Sequence, residues 1–371
     1  MTNTATRKKE PALILKILYI FLTFLGMIIL IAVGACFILL KGPSPKAKEL
    51  FTLSCNETSA MKWVPGLFIG EEEVKSIISP EEKPHTEEEG TYHIRIVGDT
   101  IDYSFVSKEK EAMIAFSTIN SMGENQGTDA ITSDISSDTT DPNAPTYELI
   151  DLKEGTYKGK ILLIHDPSKV SVESIPTFGG VGWTLSQFYE EFNALACINA
   201  GGFEDENGKG KGGIPDGIVI RDGNIVYGSA GSSYRDVVGF DAENVLHVGN
   251  MTGAQALSEG IINGMSFSLG PVLIKDGERQ SGFNSGINPR SAIGQSADGT
   301  VILIAIEGRM IDSLGATFED VTDIMERYGA VNAANLDGGS SSGLYYEGER
   351  VTRSCSVIGD RPLPTAIVVS R

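Results

Sequence analysis

An uncharged apolar run of 24 residues, from Ile17 to Leu40, constrains this chain more than any other feature of its sequence. A helix needs about 20 apolar residues to cross the hydrocarbon core of a membrane, so the run is long enough. Four basic residues precede it, and positive charge before a first span favours a cytoplasmic N-terminus. We therefore expect residues 1–16 to be a cytoplasmic tail, residues 17–40 a single transmembrane helix, and the C-terminal part of the chain to be extracellular.

A cleaved signal peptide is the competing interpretation of the same run. Its apolar core would be about 7–15 residues long and would be followed by a small-residue cleavage site. Here the run continues as Phe37-Ile38-Leu39-Leu40, and a lipoprotein site at Cys36 would lie inside it. The length of the run favours an uncleaved anchor that places the protein in the cell membrane.

Charge is distributed unevenly along the chain. Residues 1–48 carry a net charge of +6 and residues 49–371 a net charge of −25, which together give the total of −19. A region this acidic repels nucleic acid, whose phosphates are bound by Lys and Arg. We expect no nucleic-acid partner, and any anionic substrate must be met by locally placed basic residues.

The four cysteines and four histidines are not spaced as metal ligands usually are. A disulfide between Cys55 and Cys355 is compatible with the sequence, but spacing cannot establish it. Cys197 lies in the apolar run Leu195-Ala196-Cys197-Ile198, which is typical of a buried thiol. We expect neither a metal nor a cofactor.

Composition divides the chain after the apolar run. Residues 41–146 begin with a juxtamembrane linker containing Gly and Pro and continue as an N-terminal extracellular region, with an amphipathic helix at Leu67–Ile78 and strands between Tyr92 and Ser117. Residues 120–146 are rich in Ser, Thr and Asp and too poor in large apolar residues to form a core. Their aspartates lack the spacing of a calcium loop. We interpret them as a surface loop, which would be a lid if it covered a pocket.

From Tyr147 to Arg371 the composition is steady, which predicts one folded domain over residues 147–371. Short strand-like runs alternate with turn signals such as Asp222-Gly223, and two helices follow a threonine N-cap. Because strands outnumber helices, we predict an α+β fold with a mixed, largely antiparallel sheet and a few helices. The predicted strands are Lys160–His165, Ala194–Ala200, Gly217–Arg221, Val237–Phe240, Gly270–Lys275, Ala292–Gln295, Val301–Ile306 and Thr365–Ser370, and the predicted helices are Leu185–Phe192 and Phe318–Tyr328.

Three short patterns match catalytic motifs by chance. Gly339-Ser340-Ser341-Ser342-Gly343 fits the nucleophile elbow of serine hydrolases, but the last histidine is His247, so the chain order fails. A peptidase or esterase using Ser341 is thereby disfavoured. Ser59-Ala60-Met61-Lys62 lacks the K-T-G partner of penicillin-binding enzymes. The G-x-G-x-x-G match at Gly208–Gly213 is not followed by a helix, so it does not indicate a dinucleotide site.

Polar residues next to glycines at the ends of predicted strands carry a stronger signal. Each such stretch alone is typical of a turn, but four of them indicate a site that several strand ends build together. The most informative stretch places a carboxylate, Asp337, after an apolar run and before two glycines and three serines. The four stretches are Asn199-Ala200-Gly201-Gly202-Phe203, Asn288-Pro289-Arg290-Ser291, Glu307-Gly308-Arg309 and Asn335-Leu336-Asp337-Gly338-Gly339-Ser340-Ser341-Ser342-Gly343.

These stretches, in this order, resemble the motifs of the phosphodiester glycosidase family over roughly Tyr147 to Arg371. Two departures are visible. The acid before Gly308 is Glu307, where the family more often has Asp, and Gly338-Gly339 is followed directly by serines, where a third glycine is usual. Both carboxylates are kept, which supports activity.

The resemblance implies cleavage of a sugar-1-phosphodiester between the anomeric carbon and the phosphate oxygen. The transition state resembles an oxocarbenium ion, which a carboxylate stabilises or attacks, and arginine forms a bidentate fork for phosphate. The alternative that Arg309 is a structural partner of Asp337 stays open. The residues implied are Asp337 and Glu307 as catalytic carboxylates, Arg290 and Arg309 with the backbone of Gly338, Gly339, Ser340 and Ser341 for the phosphate, and Asn199 and Gly201 for the sugar.

The sequence therefore predicts a membrane-anchored extracellular glycosidase, with a phosphodiester-linked glycan as its substrate. Cell-wall polymers, exopolysaccharide or their precursors are glycans of this kind. The alternative is a non-catalytic glycan-binding or exopolysaccharide-assembly protein on the same fold, since a fold does not fix a function.

Overall fold

The computed structural model describes residues 13–58, 61–79, 96–97, 100–101, 146–356 and 359–371. The chain divides into two compact units, one formed by residues 1–80 and 145–371 and the other by residues 81–144. In the second unit the described part is an antiparallel pair, β1 (Ile96–Val97) and β2 (Thr100–Ile101). The predicted loop at residues 120–146, apart from Thr146, and most of the predicted strands between Tyr92 and Ser117 lie outside the described residues.

The first unit contains the remaining described helices and strands. The helices are α1 (Leu13–Lys41), α2 (Pro45–Asn56), α3 (Gly66–Ile69), α4 (Glu71–Ile78), α5 (Leu185–Glu191), α6 (Gly253–Ser258) and α7 (Phe318–Arg327). The strands are β3 (Tyr147–Glu154), β4 (Tyr157–Ile164), β5 (Val170–Ser174), β6 (Ala194–Asn199), β7 (Val219–Arg221), β8 (Asn224–Tyr227), β9 (Ser233–Phe240), β10 (Leu246–Thr252), β11 (Asn263–Ser266), β12 (Val272–Lys275), β13 (Glu278–Arg279), β14 (Arg290–Ser296), β15 (Val301–Ile306), β16 (Ala330–Asn335), β17 (Leu344–Tyr346), β18 (Glu349–Arg350) and β19 (Thr365–Ser370).

Helix α1 contains the whole apolar run and is long and apolar enough to cross a membrane. Most of its large apolar side chains are exposed, unlike those of a helix in a soluble core. Burial begins only in its last turn, where Leu40 is fully covered. The helix therefore has the surface of a membrane span, joined to the rest of the unit at its C-terminal end.

The stretch expected to be a juxtamembrane linker is instead the helix α2. The hydroxyl of Ser44 accepts a hydrogen bond from the backbone N–H of Ala47, and Pro45 occupies the first helical position, where it is well tolerated. The predicted helix at Leu67–Ile78 is divided into α3 and α4, because Gly70 has a φ of 81° and interrupts it.

The strands form three antiparallel sheets, which confirms the predicted α+β class. Their strand orders are β10-β9-β11-β7-β8, β13-β12-β16-β14-β15-β4-β3 and β18-β17-β6-β19-β5. The Asp222-Gly223 turn joins β7 to β8 with positive φ at both residues, as tight hairpins require. Buried side chains from all three sheets form one apolar core, which includes Ile198, Val238 and Leu303.

Two amphipathic helices cover the outer faces of these sheets. Helix α7 places Val321 and Ile324 against the outer face of the seven-stranded sheet, and α5 places Phe188 against that of the sheet containing β6. Capping boxes at Thr184 and Thr317 begin these helices.

The cysteines remain separate thiols. Cys55 and Cys355 are both free, so the structure contains no disulfide between them. Cys197 is buried as expected, and its Sγ donates to the carbonyl of Leu185 at 3.1 Å. Burial raises the pKa of the Cys197 thiol to about 12, which makes it unreactive at neutral pH.

Candidate active site

The loop that carries Asp337 joins two of the sheets. The backbone N–H of Asp337 donates to the carbonyl of Ala200, just after β6, at 2.9 Å. On its other side, the N–H groups of Leu336 and Gly339 donate to Ser291 at 2.8 Å and Pro289 at 3.0 Å, at the start of β14. Asp337 is thus held at a junction of β6, β14 and β16 that the sequence could not show.

Asn199 fixes this junction from inside. Its side chain is fully buried, and its Nδ2 donates to the carbonyl of Asp337 at 2.5 Å. Its Oδ1 accepts from Ser291 Oγ at 2.7 Å and from the N–H of Gly343 at 3.1 Å. The resemblance to the family implies a sugar contact for Asn199. In the structure both ends of its amide are bonded within the protein.

The carboxyl group of Asp337 titrates near neutrality. Burial raises its pKa to about 7, and nearby Asp205 raises it further. Hydrogen bonds from Ser341 and from the N–H of Gly338, together with the charge of Arg361, act in the opposite direction. A carboxyl group balanced in this way at a strand end is typical of a catalytic group.

Arg361, which the sequence analysis missed, is the cation that acts on Asp337. Its Nη2 lies 2.8 Å from Asp205, its Nη1 donates to Ser340 Oγ at 3.4 Å, and its guanidinium lies over the ring of Phe203. It is almost fully buried. Arg361 belongs to a loop with no motif, so only the folded arrangement reveals it. Arg361 is thus the structural partner of Asp337, a role for which the sequence offered Arg309 as an alternative.

Arg309 lies on the other side of the glycine loop and is exposed. Its Nε and Nη2 donate to Asn288 Oδ1 at 3.3 and 3.0 Å, and Nη2 also donates to Thr58 Oγ1 at 2.8 Å. Among the described residues Nη1 has no protein acceptor, so this edge can meet a ligand. A Cβ added to Gly339 would lie 3.3 Å from Nη2, which shows how closely the guanidinium approaches the loop.

The backbone of Arg309 is also strained. Its φ is 58°, in the left-handed region that residues other than glycine rarely adopt. The N–H of Arg309 donates to Leu314 at 2.9 Å, which closes the turn that imposes this conformation. Such strain costs on the order of 1 kcal/mol and is concentrated at functional sites.

Arg290 does not take the phosphate-binding place expected for it. It is buried, its Nη2 lies 2.7 Å from Glu57, and its Nε donates to Ala316 at 3.0 Å. Its guanidinium also stacks on the ring of Phe318 at 3.9 Å. These contacts engage its charge and its planar face within the protein.

Glu307 is also engaged with another residue. Its Oε2 accepts from Nε and Nη2 of Arg353 at 2.8 and 2.6 Å, and its Oε1 accepts from the N–H of Arg353 at 2.8 Å. It follows β15, two strands from the end of β16, which corresponds to about 10 Å between backbones. Both carboxylate oxygens of Glu307 are thus bonded to Arg353.

The glycine–serine loop is organised mainly by bonds within the protein. The N–H of Gly338 is bonded to the Asp337 carboxylate, that of Gly339 to Pro289, and that of Ser341 to Gly338. Three of the four N–H groups from Gly338 to Ser341 are therefore engaged within the protein. Gly201 is likewise structural, because its N–H is bonded to Thr365 and an added Cβ would meet Ser266 O at 3.0 Å.

A cavity of about 430 Å³ lies elsewhere, lined by His165, Ser296, Thr300 and Tyr328 among others. It is at the far end of β14, about 20 Å along the strand from the start of β14 near Asp337. It contains none of the four polar stretches, so the strand-end junction and not this cavity is the candidate active site.

Comparison with known proteins agrees with the motifs. Residues 192–370 match the family model described as phosphodiester glycosidase. The chain is 32% identical over 178 residues to the SPbeta prophage-derived protein YomE of Bacillus subtilis (strain 168), covering 45% of this chain and 27% of YomE. It thus spans about a quarter of that relative's length.

Two solved structures are also similar. They are the catalytic domain of zebrafish N-acetylglucosamine-1-phosphodiester α-N-acetylglucosaminidase, auto-inhibited by its pro-peptide (21% identity, TM-score 0.49, covering 62% of this chain and 85% of that one), and a hypothetical protein from Synechocystis (20%, 0.43, 60% and 61%). The family assignment depends on the matched model and its motifs. Residues 192–370 of this chain are therefore similar to the domain of the phosphodiester glycosidase family.

Proposed function

We propose that this protein is a membrane-anchored glycosidase that hydrolyses sugar-1-phosphodiester linkages in surface glycans or their precursors. The observation that carries the proposal is the Asp337 carboxyl, held at a junction of three strands with a pKa of about 7, close to a glycine loop that Arg309 also contacts. The family of the domain supplies the reaction class, and these residues supply the chemistry.

In the proposed reaction, the bond between the anomeric carbon and the phosphate oxygen breaks. The electron pair leaves with the phosphate, and positive charge develops on the sugar ring. The Asp337 carboxylate stabilises or attacks the anomeric carbon, and water completes the reaction to give a free sugar and a phosphomonoester. Phosphate is already a good leaving group, so a strong general acid is not required.

Arg309 is the proposed partner of the phosphate. Its exposed guanidinium lies against Gly339, and an arginine fork matches two phosphate oxygens. It thereby stabilises the negative charge that grows on the leaving group. Arg361 acts differently, because it is buried and paired with Asp205. It limits the rise of the Asp337 pKa and orders Ser340.

The location of the enzyme is part of the proposal. Helix α1 is a candidate membrane span, and the basic residues before it favour a cytoplasmic N-terminus. The domain after it would then face the outside of the cell, where phosphodiester-linked wall polymers and exopolysaccharides are found.

A glycan-binding or exopolysaccharide-assembly role without turnover is the second candidate. It is favoured because Arg290 and Glu307, both expected to act on the substrate, each form an ion pair within the protein. A binding protein needs shape and hydrogen bonds but no available pair of carboxylates.

Purified full-length protein assayed on a panel of sugar-1-phosphodiesters separates the two candidates. We expect release of free sugar and phosphomonoester, and loss of that release in Asp337→Asn. Asp222→Asn, in an exposed turn, is the matched control and should retain activity. Binding of the substrates without any turnover would instead support the second candidate.

A further inference from the structure

The end of α1 is packed against the first helices of the folded unit. Helix α1 contacts both α2 and α3, and Leu40 in its last turn is fully buried. Helix α2 therefore turns back beside the last turns of α1.

This packing fixes the depth of the neighbouring segments relative to a membrane. The 24-residue run is about 36 Å long as a helix, whereas the hydrocarbon core is about 30 Å thick. The last turn of α1 then lies at the level of the lipid headgroups. Since α3 packs against that part of α1, it lies at the same level.

Apolar side chains are exposed at this level. Trp63 and Leu67 are 64% and 70% exposed, and Met61 is exposed beside them. Ile311, in the turn after Arg309, is fully exposed. We call these four residues the apolar rim. The hydrogen bond from Arg309 Nη2 to Thr58 brings the two segments of the apolar rim together. Thr58 precedes Met61 by three residues, and Arg309 precedes Ile311 by two.

The composition of the apolar rim matches a lipid surface. Tryptophan and leucine are enriched at the interface between membrane and water, and lysine beside them meets anionic headgroups. Lys62 lies within the rim and Lys41 ends α1. The rim is continuous with α1 through α3, so a lipid that contacts α1 also reaches the rim.

From this placement we infer that the apolar rim lies in the headgroup layer of the membrane that α1 spans, and that the site acts on a sugar phosphodiester carried by a membrane lipid. The inference rests on the proposed function for its reaction and on α1 for its anchor. Arg309 lies two residues from Ile311, which places the phosphate-binding group at the depth where a lipid-linked phosphodiester is found.

Fluorescence quenching tests the rim without reference to activity. Trp183→Phe leaves Trp63 as the only tryptophan, because the chain contains two. In the full-length protein reconstituted in phosphatidylcholine vesicles, lipids brominated in the upper acyl chain should remove about half of the Trp63 emission, as for an interfacial tryptophan.

The matched control is Trp63→Phe, which leaves Trp183. Trp183 packs edge-on against Phe188 at 5.3 Å, so its emission should be almost unchanged by the brominated lipids. Equal, weak quenching of both single-tryptophan proteins would overturn the inference. A rim covered by a protein partner would give this same result and would equally contradict the inference.

Turnover tests the substrate class separately. We compare a lipid-linked sugar phosphodiester in vesicles with a soluble one, using Ile311→Asp and, as the control, Val245→Asp, an exposed valine in the turn between β9 and β10. Ile311→Asp should lower the ratio of lipid-linked to soluble turnover about tenfold, since a charge resists entry into the membrane interface. Val245→Asp should not change the ratio.

An unchanged ratio in Ile311→Asp, with soluble turnover present, would overturn the inference and leave the proposed function standing. Absence of turnover on both substrates would refute the proposed function instead. In that case the quenching of Trp63 alone decides whether the rim meets the membrane.

Discussion

The carboxylate of Glu57 lies 2.7 Å from Nη2 of the buried Arg290. The same carboxylate accepts hydrogen bonds from Asn288 Nδ2 at 2.9 Å and from the N–H of Gly286 at 2.6 Å. A residue directly after α2 therefore organises the loop that leads into β14 and the candidate active site. The segment between α1 and the sheets is part of the folded unit.

Replacing Glu57 with Ala should destabilise the protein strongly. The change leaves the charge of Arg290 buried without its partner, which costs on the order of 3 kcal/mol or more. Chemical denaturation of the full-length protein in detergent measures this. Glu49→Ala is the matched control, because the Glu49 side chain is half-exposed and lies 3.7 Å from its partner Lys46. Equal denaturation midpoints for the two variants would contradict the structural role of Glu57.

Activity should depend on pH through Asp337. If the carboxylate is the working form, kcat/KM rises with pH and reaches a plateau above a midpoint near 7, the pKa of the carboxyl group. A pH–rate profile on a soluble sugar-1-phosphodiester checks this. A profile that falls through pH 7 would show that Asp337 acts as an acid instead.

Asp337→Asn should make the protein more stable above neutral pH. The native pKa, about 7, is higher than the usual value of 3.8, so the folded state binds the proton more tightly. The free energy of unfolding therefore falls as pH rises from about 4 to 7. Asn does not titrate, and the variant should gain on the order of 2–4 kcal/mol at pH 8 and little at pH 4.

Denaturation of both proteins at the two pH values measures this gain. The exposed Asp222→Asn should differ from the parent by less than about 0.5 kcal/mol at either pH. A constant difference between Asp337→Asn and the parent would show that burial does not perturb the carboxyl group.

The strands were predictable where the chain is continuously apolar. Val301–Ile306 and Thr365–Ser370 have the same bounds in the sequence analysis and in the structure, because buried β-branched runs have few other conformations. Strands with polar positions, such as Tyr147–Glu154 and Leu246–Thr252, were missed, because their half-exposed faces dilute the apolar pattern.

The site was predictable only in part, for a physical reason. Asp337 could be singled out because a carboxylate and a glycine-rich turn are adjacent in sequence. The partners that engage Arg290 and Glu307 could not, because they come from distant segments. Glu57 is 231 residues from Asn288, yet the two share a hydrogen bond. Arg361 has no local pattern at all, and only the packing of Phe203 and Asp205 around it identifies its place.

Asn199→Ala should reduce stability and not only substrate affinity. The variant leaves three buried groups without their partner, namely Ser291 Oγ, the N–H of Gly343 and the carbonyl of Asp337, at a cost of about 3 kcal/mol. Denaturation measures the loss, and the exposed Asn224→Ala should cost less than about 1 kcal/mol. Unchanged stability with a raised KM would instead support the direct sugar contact expected from the sequence.

Arg309→Lys should separate the charge of this residue from its geometry. Lysine keeps the positive charge but lacks the planar fork, so it contacts one phosphate oxygen where arginine contacts two. We expect kcat/KM on a sugar-1-phosphodiester to fall about tenfold, which corresponds to about 1.4 kcal/mol. Arg235→Lys, on the exposed start of β9, is the matched control and should keep full activity.

Gly339→Ala should have a similar effect to Arg309→Lys, because its methyl group would lie 3.3 Å from Nη2 and displace the guanidinium. Full activity in both variants would show that Arg309 does not bind the phosphate. Arg361 would then be the next candidate for that role.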